Sequence, residues 1–443
     1  MRSSYILTAL LTFAGAAACG SNPAPDQGAL ADGLSSSAGQ AASTAPLAWN
    51  PTQKIVPADD AAGDFGHAIA VDGDTAVVGD PYDHTQGAQE GAVHVFRRSG
   101  GIWIRTAKLC ADGPCSTPPA AEDAAVPMSP PPPGSRFGSS LDISGDTLIV
   151  GALFARSDRH GPGAAYVFHR HRGVWTQQGK LTADDTGRYD RFATSVAIDG
   201  DTALVGASGH ALRPSQPTGA VYIYVRTSET WKLQCTIGAD DGHGDLFGDS
   251  VALDADTALV GSPGESSYAG AAYVFRRRGS CWVQQSRFVG ATHDDFLGGS
   301  VALDGNTALV GASGATAGAG AVYVLERRGG GWVQQGKLLA SDGAPDFGFG
   351  TSVALAGRTA LVGASGIFTG TPRPGAAYVF VRGQRGFTQR AVLLAPGGAL
   401  DDGFGGSVAL AGHTAFVGAP DTTRPGGAPA GAVYVFKNDG SDD

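Results

Sequence analysis

The heptapeptide Gly-Asp-Thr-Ala-Leu-Val-Gly at Gly200–Gly206 decides the fold of this chain, because seven variants of it occur along the sequence. The variants end at Gly79, Gly151, Gly206, Gly261, Gly311, Gly363 and Gly418, and the last five are 50 to 55 residues apart. Repetition at this period is typical of supersecondary units that bury their apolar faces against one another. Residues that recur in every unit are therefore expected to serve the architecture rather than one active site.

Each unit contains four short segments with the composition of β-strands. In the fourth unit they are Phe247–Leu253, Thr257–Gly261, Gly270–Phe275 and Trp282–Phe288. Such segments are rich in Val, Tyr, Phe and Trp and lie between turn residues, which is the pattern of strands. No stretch after the N-terminal region has a sustained helical period, so no long helix is predicted.

The turns between segments predict antiparallel hairpins. Asp72-Gly73-Asp74 and its equivalents join the first two segments, and Asp-Gly supplies the positive φ of a tight hairpin. A glycine-rich turn such as Arg327–Gly331 joins the last two. Each unit is therefore predicted to be a four-stranded antiparallel sheet. Seven such sheets arranged radially form an all-β seven-bladed propeller.

The seventh unit lacks a fourth segment of its own, since only seven residues follow Phe436. Trp49–Ile55 has the same spacing as Trp332–Leu338, so this N-terminal segment is predicted to close the ring within the last blade. All six tryptophans begin fourth segments, at Trp49, Trp103, Trp175, Trp231, Trp282 and Trp332. Tryptophan stacks on sugars in some proteins, but one fixed repeat position favours packing between blades.

These motifs resemble the FG-GAP repeat, the blade unit of integrin α-subunit propellers, and most closely its bacterial group. Phe247-Gly248 supplies the Phe-Gly pair and Val310–Ser313 the Val-Gly-Ala-Ser sequence, and the resemblance covers residues 47–436. Leu297 and Ala68 are local departures from the pattern. Integrin-type repeats often carry a calcium loop between the first two strands. The link here is too short and has too few carboxylates, so no metal site is predicted there.

The N-terminus has the pattern of an export signal. Residues 1–18 are predicted to be a signal peptide, since the mostly apolar run Tyr5–Ala18 is too short to span a bilayer. Cys19 follows three alanines, which resembles a bacterial lipoprotein signal and implies lipidation of Cys19. Ordinary secretion is the alternative. Residues 19–46 are predicted to be the lipidated cysteine and a flexible tether, and residues 47–438 the propeller.

The other cysteines and the charge agree with export. Cys110 and Cys115 bracket a turn sequence, which predicts a local disulfide in an oxidising compartment. Cys235 and Cys281 are expected to be free and packed. The net charge of −10 disfavours nucleic acid as a partner.

The long, unequal links predict where a ligand binds. They join the second strand to the third, or one blade to the next, and so emerge on one side of the propeller, the loop face; the longest is Cys110–Ser135. The opposite side, the hairpin face, is expected to be inert. No catalytic or metal motif occurs. The acidic links between blades, such as Asp184-Asp185 with Asp190, are interpreted as turn formers, with weak calcium binding as the alternative.

The sequence therefore predicts a non-enzymatic, cell-surface or periplasmic lipoprotein. Its propeller is expected to act as an adhesion-like module that binds an unidentified protein or glycan ligand on the loop face. A monomer without cofactors is expected, attached to the membrane only through its lipid. The alternative is a propeller-based polysaccharide lyase or hydrolase that uses the same face.

Overall fold

A computed structural model describes residues 26–29, 48–57, 63–84, 90–111, 113–115, 134–154, 161–187, 189–210, 218–239, 245–343, 347–366, 374–423 and 430–438. The N-terminal strands of the described residues are β1 (Asp26–Ala29) and β2 (Trp49–Ile55). Blade one contains β3 (Ile69–Asp72), β4 (Thr75–Asp80), β5 (Ala92–Ser99), β6 (Ile102–Cys110) and a short edge strand, β7 (Gly113–Pro114). Blade two contains β8 (Phe137–Ser144), β9 (Thr147–Ala152), β10 (Ala164–His171) and β11 (Val174–Leu181).

The next three blades follow the same plan. Blade three contains β12 (Phe192–Asp199), β13 (Thr202–Ala207), β14 (Ala220–Thr227) and β15 (Thr230–Ile237). Blade four contains β16 (Ser250–Asp254), β17 (Thr257–Ser262), a single turn α1 (Glu265–Tyr268), β18 (Ala271–Arg278) and β19 (Cys281–Val289). Blade five contains β20 (Leu297–Asp304), β21 (Thr307–Ala312), β22 (Ala321–Arg328) and β23 (Gly331–Leu338).

The last two blades complete the ring. Blade six contains β24 (Phe349–Ala356), β25 (Thr359–Ala364), β26 (Ala376–Gly383) and β27 (Gly386–Leu393). Blade seven contains β28 (Val408–Ala411), β29 (Thr414–Ala419) and β30 (Ala432–Asn438). The first strands of neighbouring blades contact one another in a closed circle, which places them around the central axis. The predicted seven-bladed antiparallel propeller is thereby confirmed.

Ring closure occurs as the sequence predicts. Strand β2 pairs antiparallel with β30, with Trp49 opposite Asn438 and Ile55 opposite Val433. The Gln53 side chain then bonds to both backbone groups of Trp103 in blade one, each at 2.9 Å. The N-terminal strand therefore completes blade seven and also ties its outer edge to blade one.

Strand β1 departs from the predicted tether. It pairs in parallel with β19, with Asp26 opposite Arg287 and Ala29 opposite Val289, and so adds a fifth strand to blade four. The tether over residues 19–46 stays a prediction, and these four residues add an edge pairing that the sequence did not indicate. An exposed outer strand offers unpaired backbone groups to any nearby segment, which accounts for the pairing. The rest of segment 19–46 lies outside the described residues, as do residues 1–18.

The repeated residues build the packing between blades. In blade three, every residue from Thr202 to Ala207 is buried. A Cβ on Gly206 would lie 2.0 Å from the carbonyl oxygen of Gly248 in the next blade. Only glycine fits that approach. First-strand phenylalanines meet third-strand tyrosines edge to face, as with Phe137 and Tyr166 at 5.4 Å. These contacts explain why the glycine and aromatic positions recur.

The recurrent first-strand serines hold neighbouring blades together. The hydroxyl of Ser195 donates a 2.7 Å hydrogen bond to the carbonyl oxygen of Gly248 in the following blade. Equivalent bonds come from Ser140, Ser250, Ser300, Ser352 and Ser407. The serines therefore join each of these blades to the next through a side-chain hydrogen bond.

The tryptophans pack within and between blades. Trp103, Trp282 and Trp332 are buried, and Trp103 meets Phe416 of blade seven edge to face at 5.0 Å. Trp231 is partly buried, and an arginine of its own blade, Arg226, lies over its ring at 5.4 Å. These contacts favour the packing interpretation over sugar stacking.

Candidate ligand-binding groove

Much of the predicted loop face lies outside the described residues. This applies to most of Cys110–Ser135, to residues 85–89, 211–217, 367–373 and 424–429, and to the acidic residues Asp59, Asp60, Asp240, Asp241 and Asp346. The described part of this face contains an open groove between blades three and four, of about 550 Å³. Its lining residues are Tyr189, Arg191, Ser208, Gly209, Asp245, Leu246, Gly264, Ser267 and Tyr268. The volume lies within the range of small-ligand sites.

Two exposed tyrosines give the groove its character. Tyr189 enters from the link before blade three and is 62% exposed, while Tyr268 ends α1 in blade four and is 51% exposed. The Tyr268 ring is supported by Phe296, whose ring centre lies 5.6 Å away. Large aromatic side chains that remain exposed on a rigid support are typical of recognition surfaces.

The backbone at both tyrosines is left-handed. Tyr268 has a φ of 65°, and its equivalent in blade five is Gly318, with a φ of 81°. The loops correspond, since Gly270 bonds back to Glu265 as Gly320 bonds back to Ala315. A glycine adopts this conformation without steric cost, whereas an L-residue loses about 1–2 kcal/mol. The tyrosine thus occupies a left-handed position where blade five has glycine, in a turn whose Ser266 and Ser267 are also left-handed.

Tyr189 repeats this observation on the other wall of the groove. It has a φ of 73°, and the equivalent residues in blades five and seven are Asp294 and Asp401, with φ of 64° and 67°. Aspartate tolerates the left-handed region better than tyrosine does. Strained residues with exposed side chains cluster at functional sites. An alignment of the seven repeats reveals both positions, but single-motif reasoning missed them.

The charged groups of the groove come from two blades. Arg191 and Asp245 lie in the links that lead into blades three and four, respectively. Burial raises the pKa of nearby Asp249, and the positive charge of Arg191 acts in the opposite direction. The groove therefore combines aromatic surface with a cation and an anion, which suits a ligand with both flat apolar faces and polar groups.

The described acidic links between blades form turns. Asp190 accepts a hydrogen bond from the backbone N–H of Gly187, and Asp295 and Asp402 accept equivalent bonds from Thr292 and Ala399. In each case the donor lies three residues before the aspartate. These bonds are the turn chemistry expected from the sequence. Weak calcium binding at the acidic links stays the untested alternative.

Blade three also has a buried histidine behind its link. His210 Nδ1 lies 2.7 Å from Asp190, and Nε2 lies 3.8 Å from Asp185. Asp185 in turn accepts a hydrogen bond from the hydroxyl of Tyr222 at 2.9 Å. This network holds the link that carries Tyr189. Buried side chains of blade three therefore support one side of the groove.

The hairpin face contains carboxylates that the sequence analysis missed. Asp72, Asp199, Asp254 and Asp304 end first strands and surround an axial opening of about 380 Å³. Each accepts a backbone N–H from the turn of the next blade, as Asp72 does from Gly145 at 2.6 Å. Their recurrence before the hairpin turn was the available signal. These carboxylates therefore join neighbouring blades through hydrogen bonds.

Asp142 lies beside this opening but is more deeply placed. Its carboxylate accepts the N–H groups of Ile143 at 2.9 Å and Ile198 at 2.8 Å, and the second bond reaches blade three. Burial raises the pKa of Asp142 to about 7, although both hydrogen bonds favour the charged form. Asp142 therefore connects blades two and three, and burial makes ionisation of its carboxyl group unfavourable near neutral pH.

The cysteines follow the predictions only in part. Cys110 and Cys115 form a disulfide, and Cys235 is free and buried. Cys281 is disulfide-bonded, so the expectation that it is free was wrong, and its partner lies outside the described residues. Sequence spacing could not reveal this bond, because it depends on segments that are distant in the chain. Cys19 also lies outside the described residues.

The fold and groove together define a class: a seven-bladed propeller whose blades carry Phe-Gly and Val-Gly-Ala motifs at fixed positions, an architecture commonly used for binding. The chain belongs to the FG-GAP repeat family, which matches residues 49–96, 132–168, 175–224, 231–275, 282–325, 332–380 and 387–436. Comparison with individual curated proteins finds no match. Within the described residues, no helix is long and apolar enough to cross a bilayer.

Proposed function

We propose that this chain is an exported binding module of the bacterial cell envelope that holds a ligand in the groove between blades three and four. The observation that carries the proposal is the pair of exposed tyrosines, Tyr189 and Tyr268, on left-handed backbone at opposite walls of one groove. Selection for stability alone would favour glycine or aspartate at these positions. Their retention is explained if the rings contact a ligand.

The ligand that fits this groove best is a short stretch of glycan. A volume of about 550 Å³ suits a small ligand rather than a protein surface, since stable protein interfaces bury about 800 Å² on each partner. Tyrosine rings offer flat apolar faces for sugar rings, and Arg191 and Asp245 offer a donor and an acceptor for hydroxyl groups. A peptide segment with aromatic or charged side chains is the competing ligand.

Binding without catalysis agrees with the groove lining. Its described residues include one carboxylate, Asp245, whereas glycoside hydrolysis ordinarily uses a pair of carboxylates. The recurrent serines are bonded to carbonyl groups of neighbouring blades. We therefore favour an adhesion-like module over a hydrolase, and a lyase, which needs no carboxylate pair, stays the alternative.

Attachment to the envelope through lipid at Cys19 is part of the proposal, and it requires that Cys19 not be the disulfide partner of Cys281 in the mature chain. The disulfide between Cys110 and Cys115 supports an oxidising compartment, since such bonds are rare in the reducing cytosol. A diacylated cysteine holds a protein firmly at a membrane, whereas one chain does so only marginally.

An array of glycans and peptides, probed with the purified chain lacking residues 1–19, tests the proposed function. We expect glycan binding that is lost in Tyr189→Ala and retained in Ile102→Ala, which removes another exposed apolar side chain. Binding to peptides alone would redirect the proposal to a protein ligand. Glycan binding that Tyr189→Ala leaves unchanged would place the site outside the groove.

A further inference from the structure

The interior of blade one differs from the other six blades at two buried positions. Asp80 ends its second strand, where the other blades have Ala152, Ala207, Ser262, Ala312, Ala364 and Ala419. His94 lies on its third strand, where the other blades have Tyr166, Tyr222, Tyr273, Tyr323, Tyr378 and Tyr434. The fold therefore requires neither the carboxylate of Asp80 nor the imidazole of His94.

Asp80, Asp83 and His94 come together inside the blade. One ligand-type atom from each residue lies within 4.8 Å of the others, and all three side chains are buried. Asp80 is fully buried, and no hydrogen bond of normal geometry reaches its carboxylate oxygens from the described residues, although the backbone N–H of Asp64 lies nearby. A buried carboxylate without a partner is costly, and in native proteins such a group calls for an explanation.

Two cations border the cluster. Lys108 Nζ lies 2.7 Å from Asp83 Oδ2. Arg105 Nη1 approaches His94 Nδ1 to 3.3 Å. Burial raises the pKa of Asp80 to about 8, and the negative charges of Asp83 and Asp64 act in the same direction, while the charge of Lys108 and the backbone N–H of Asp64 lower it. The chain also passes close to this carboxylate, since a Cβ on Gly63 would lie 2.0 Å from Asp80 Oδ1.

We propose that Asp80, Asp83 and His94 bind a divalent first-row transition cation, with Zn²⁺ as the best fit. Two carboxylates and one imidazole suit zinc, which takes oxygen and nitrogen ligands at about 2.0–2.2 Å. Calcium and magnesium instead prefer ligand sets made of oxygen. The ion offsets the buried charge of Asp80. This site goes beyond the sequence analysis, which predicted no metal.

The neighbouring cation orients one ligand. The bond from Lys108 to Asp83 Oδ2 fixes the orientation of this carboxylate, as supporting hydrogen bonds do in other metal centres. Three protein ligands leave a fourth position for water. Because His94 must be neutral and the carboxylates ionised, zinc binding releases protons and weakens as the pH falls.

Titration of the purified, chelator-treated chain with Zn²⁺ tests the proposal, with Ca²⁺ and Mg²⁺ as comparisons. We expect one Zn²⁺ per chain, and a loss of affinity of at least about 100-fold in Asp80→Ala and in His94→Tyr. Both substitutions install the residue that other blades carry, so the metal-free variants should still melt cooperatively. His210→Gln, which alters a buried histidine of blade three, should leave zinc binding unchanged.

Two results would overturn the site. One is the absence of zinc binding by the unaltered chain, and the other is unchanged affinity in both Asp80→Ala and His94→Tyr. If either variant fails to fold, the Co²⁺ form of the unaltered chain decides. Intense d–d bands without a thiolate charge-transfer band support the site, since free Cys235 is then excluded as a ligand. The weak spectrum of hydrated Co²⁺ refutes it.

Discussion

The hydroxyl of Ser407 donates a 2.6 Å hydrogen bond to the carbonyl oxygen of Gly66, which joins the last blade to the first across 341 positions of the chain. Five other blades make the equivalent bond to their successors. Blade one has Ala68 at this position and so lacks the hydroxyl for a bond to Gly138 in blade two. The contacts between blades are therefore equivalent except where the sequence departs from the repeat.

Ala68→Ser is expected to stabilise the propeller. The added hydroxyl should reach the carbonyl oxygen of Gly138, and one such hydrogen bond contributes about 0.5–1.5 kcal/mol. Denaturant unfolding measures the change. Ser407→Ala is the matched comparison and should lose a similar amount. A decrease in stability in Ala68→Ser would show that this pair of blades has no room for the bond.

Removal of the closing strand should destabilise the whole ring. A chain that begins at residue 57 lacks β2, so Val433 and Val435, which are now buried, become exposed along the edge of β30. We expect a loss of at least about 3 kcal/mol relative to a chain that begins at residue 46. Thermal melts of the two chains make the comparison. Equal melting temperatures would contradict the importance of this closure.

The blades could be predicted from sequence because each strand recurs in the same order with the same turns. The groove could not, because Tyr189 and Tyr268 belong to different units and meet only when blades three and four pack together. The pairing of β1 with β19 was missed for a similar reason, since Asp26–Ala29 has no counterpart in the repeat. Repetition thus reveals architecture, and single departures from it reveal candidate sites.

In the metal-free chain, Asp80 should make stability depend on pH. The pKa of Asp80 in the folded chain, about 8, lies above the ordinary aspartate value of 3.8. The contribution of protonated Asp80 to the free energy of unfolding is therefore complete below about pH 4 and is lost as the pH rises through 8. One proton changes the slope by at most about 1.4 kcal/mol per pH unit. Asp80→Ala should flatten this slope in chelator-treated unfolding experiments.

An exposed acid provides the control for the pH experiment. Glu229 lies exposed on a hairpin, and Glu229→Gln should leave the pH slope as it is in the unaltered chain. A slope that Asp80→Ala does not change would show that Asp80 is equally protonated in the folded and unfolded chains.

Lipidation at Cys19 predicts a clear labelling result. A fatty-acid probe should label the unaltered chain in cells and should not label Cys19→Ser. A sulfur that carries a lipid thioether cannot also form a disulfide. Mass spectrometry of peptides that contain Cys281 should therefore show no bond between Cys281 and Cys19 in the lipidated chain. Lack of label on the unaltered chain would favour ordinary secretion.

Tyr268→Gly should separate stability from binding. Gly318 shows that the same loop in blade five accepts glycine at this position, so the substitution relieves the left-handed strain and should raise stability by up to about 1 kcal/mol. It also removes one aromatic wall of the groove, so ligand affinity should fall at least about tenfold, as expected for a central aromatic contact.

Gly318→Ala is the matched variant, because it introduces strain in blade five without touching the groove. It should lower stability and leave affinity unchanged. Unfolding and binding measured on both variants decide the matter. If Tyr268→Gly is more stable and binds as well as the unaltered chain, the tyrosine is not retained for this ligand.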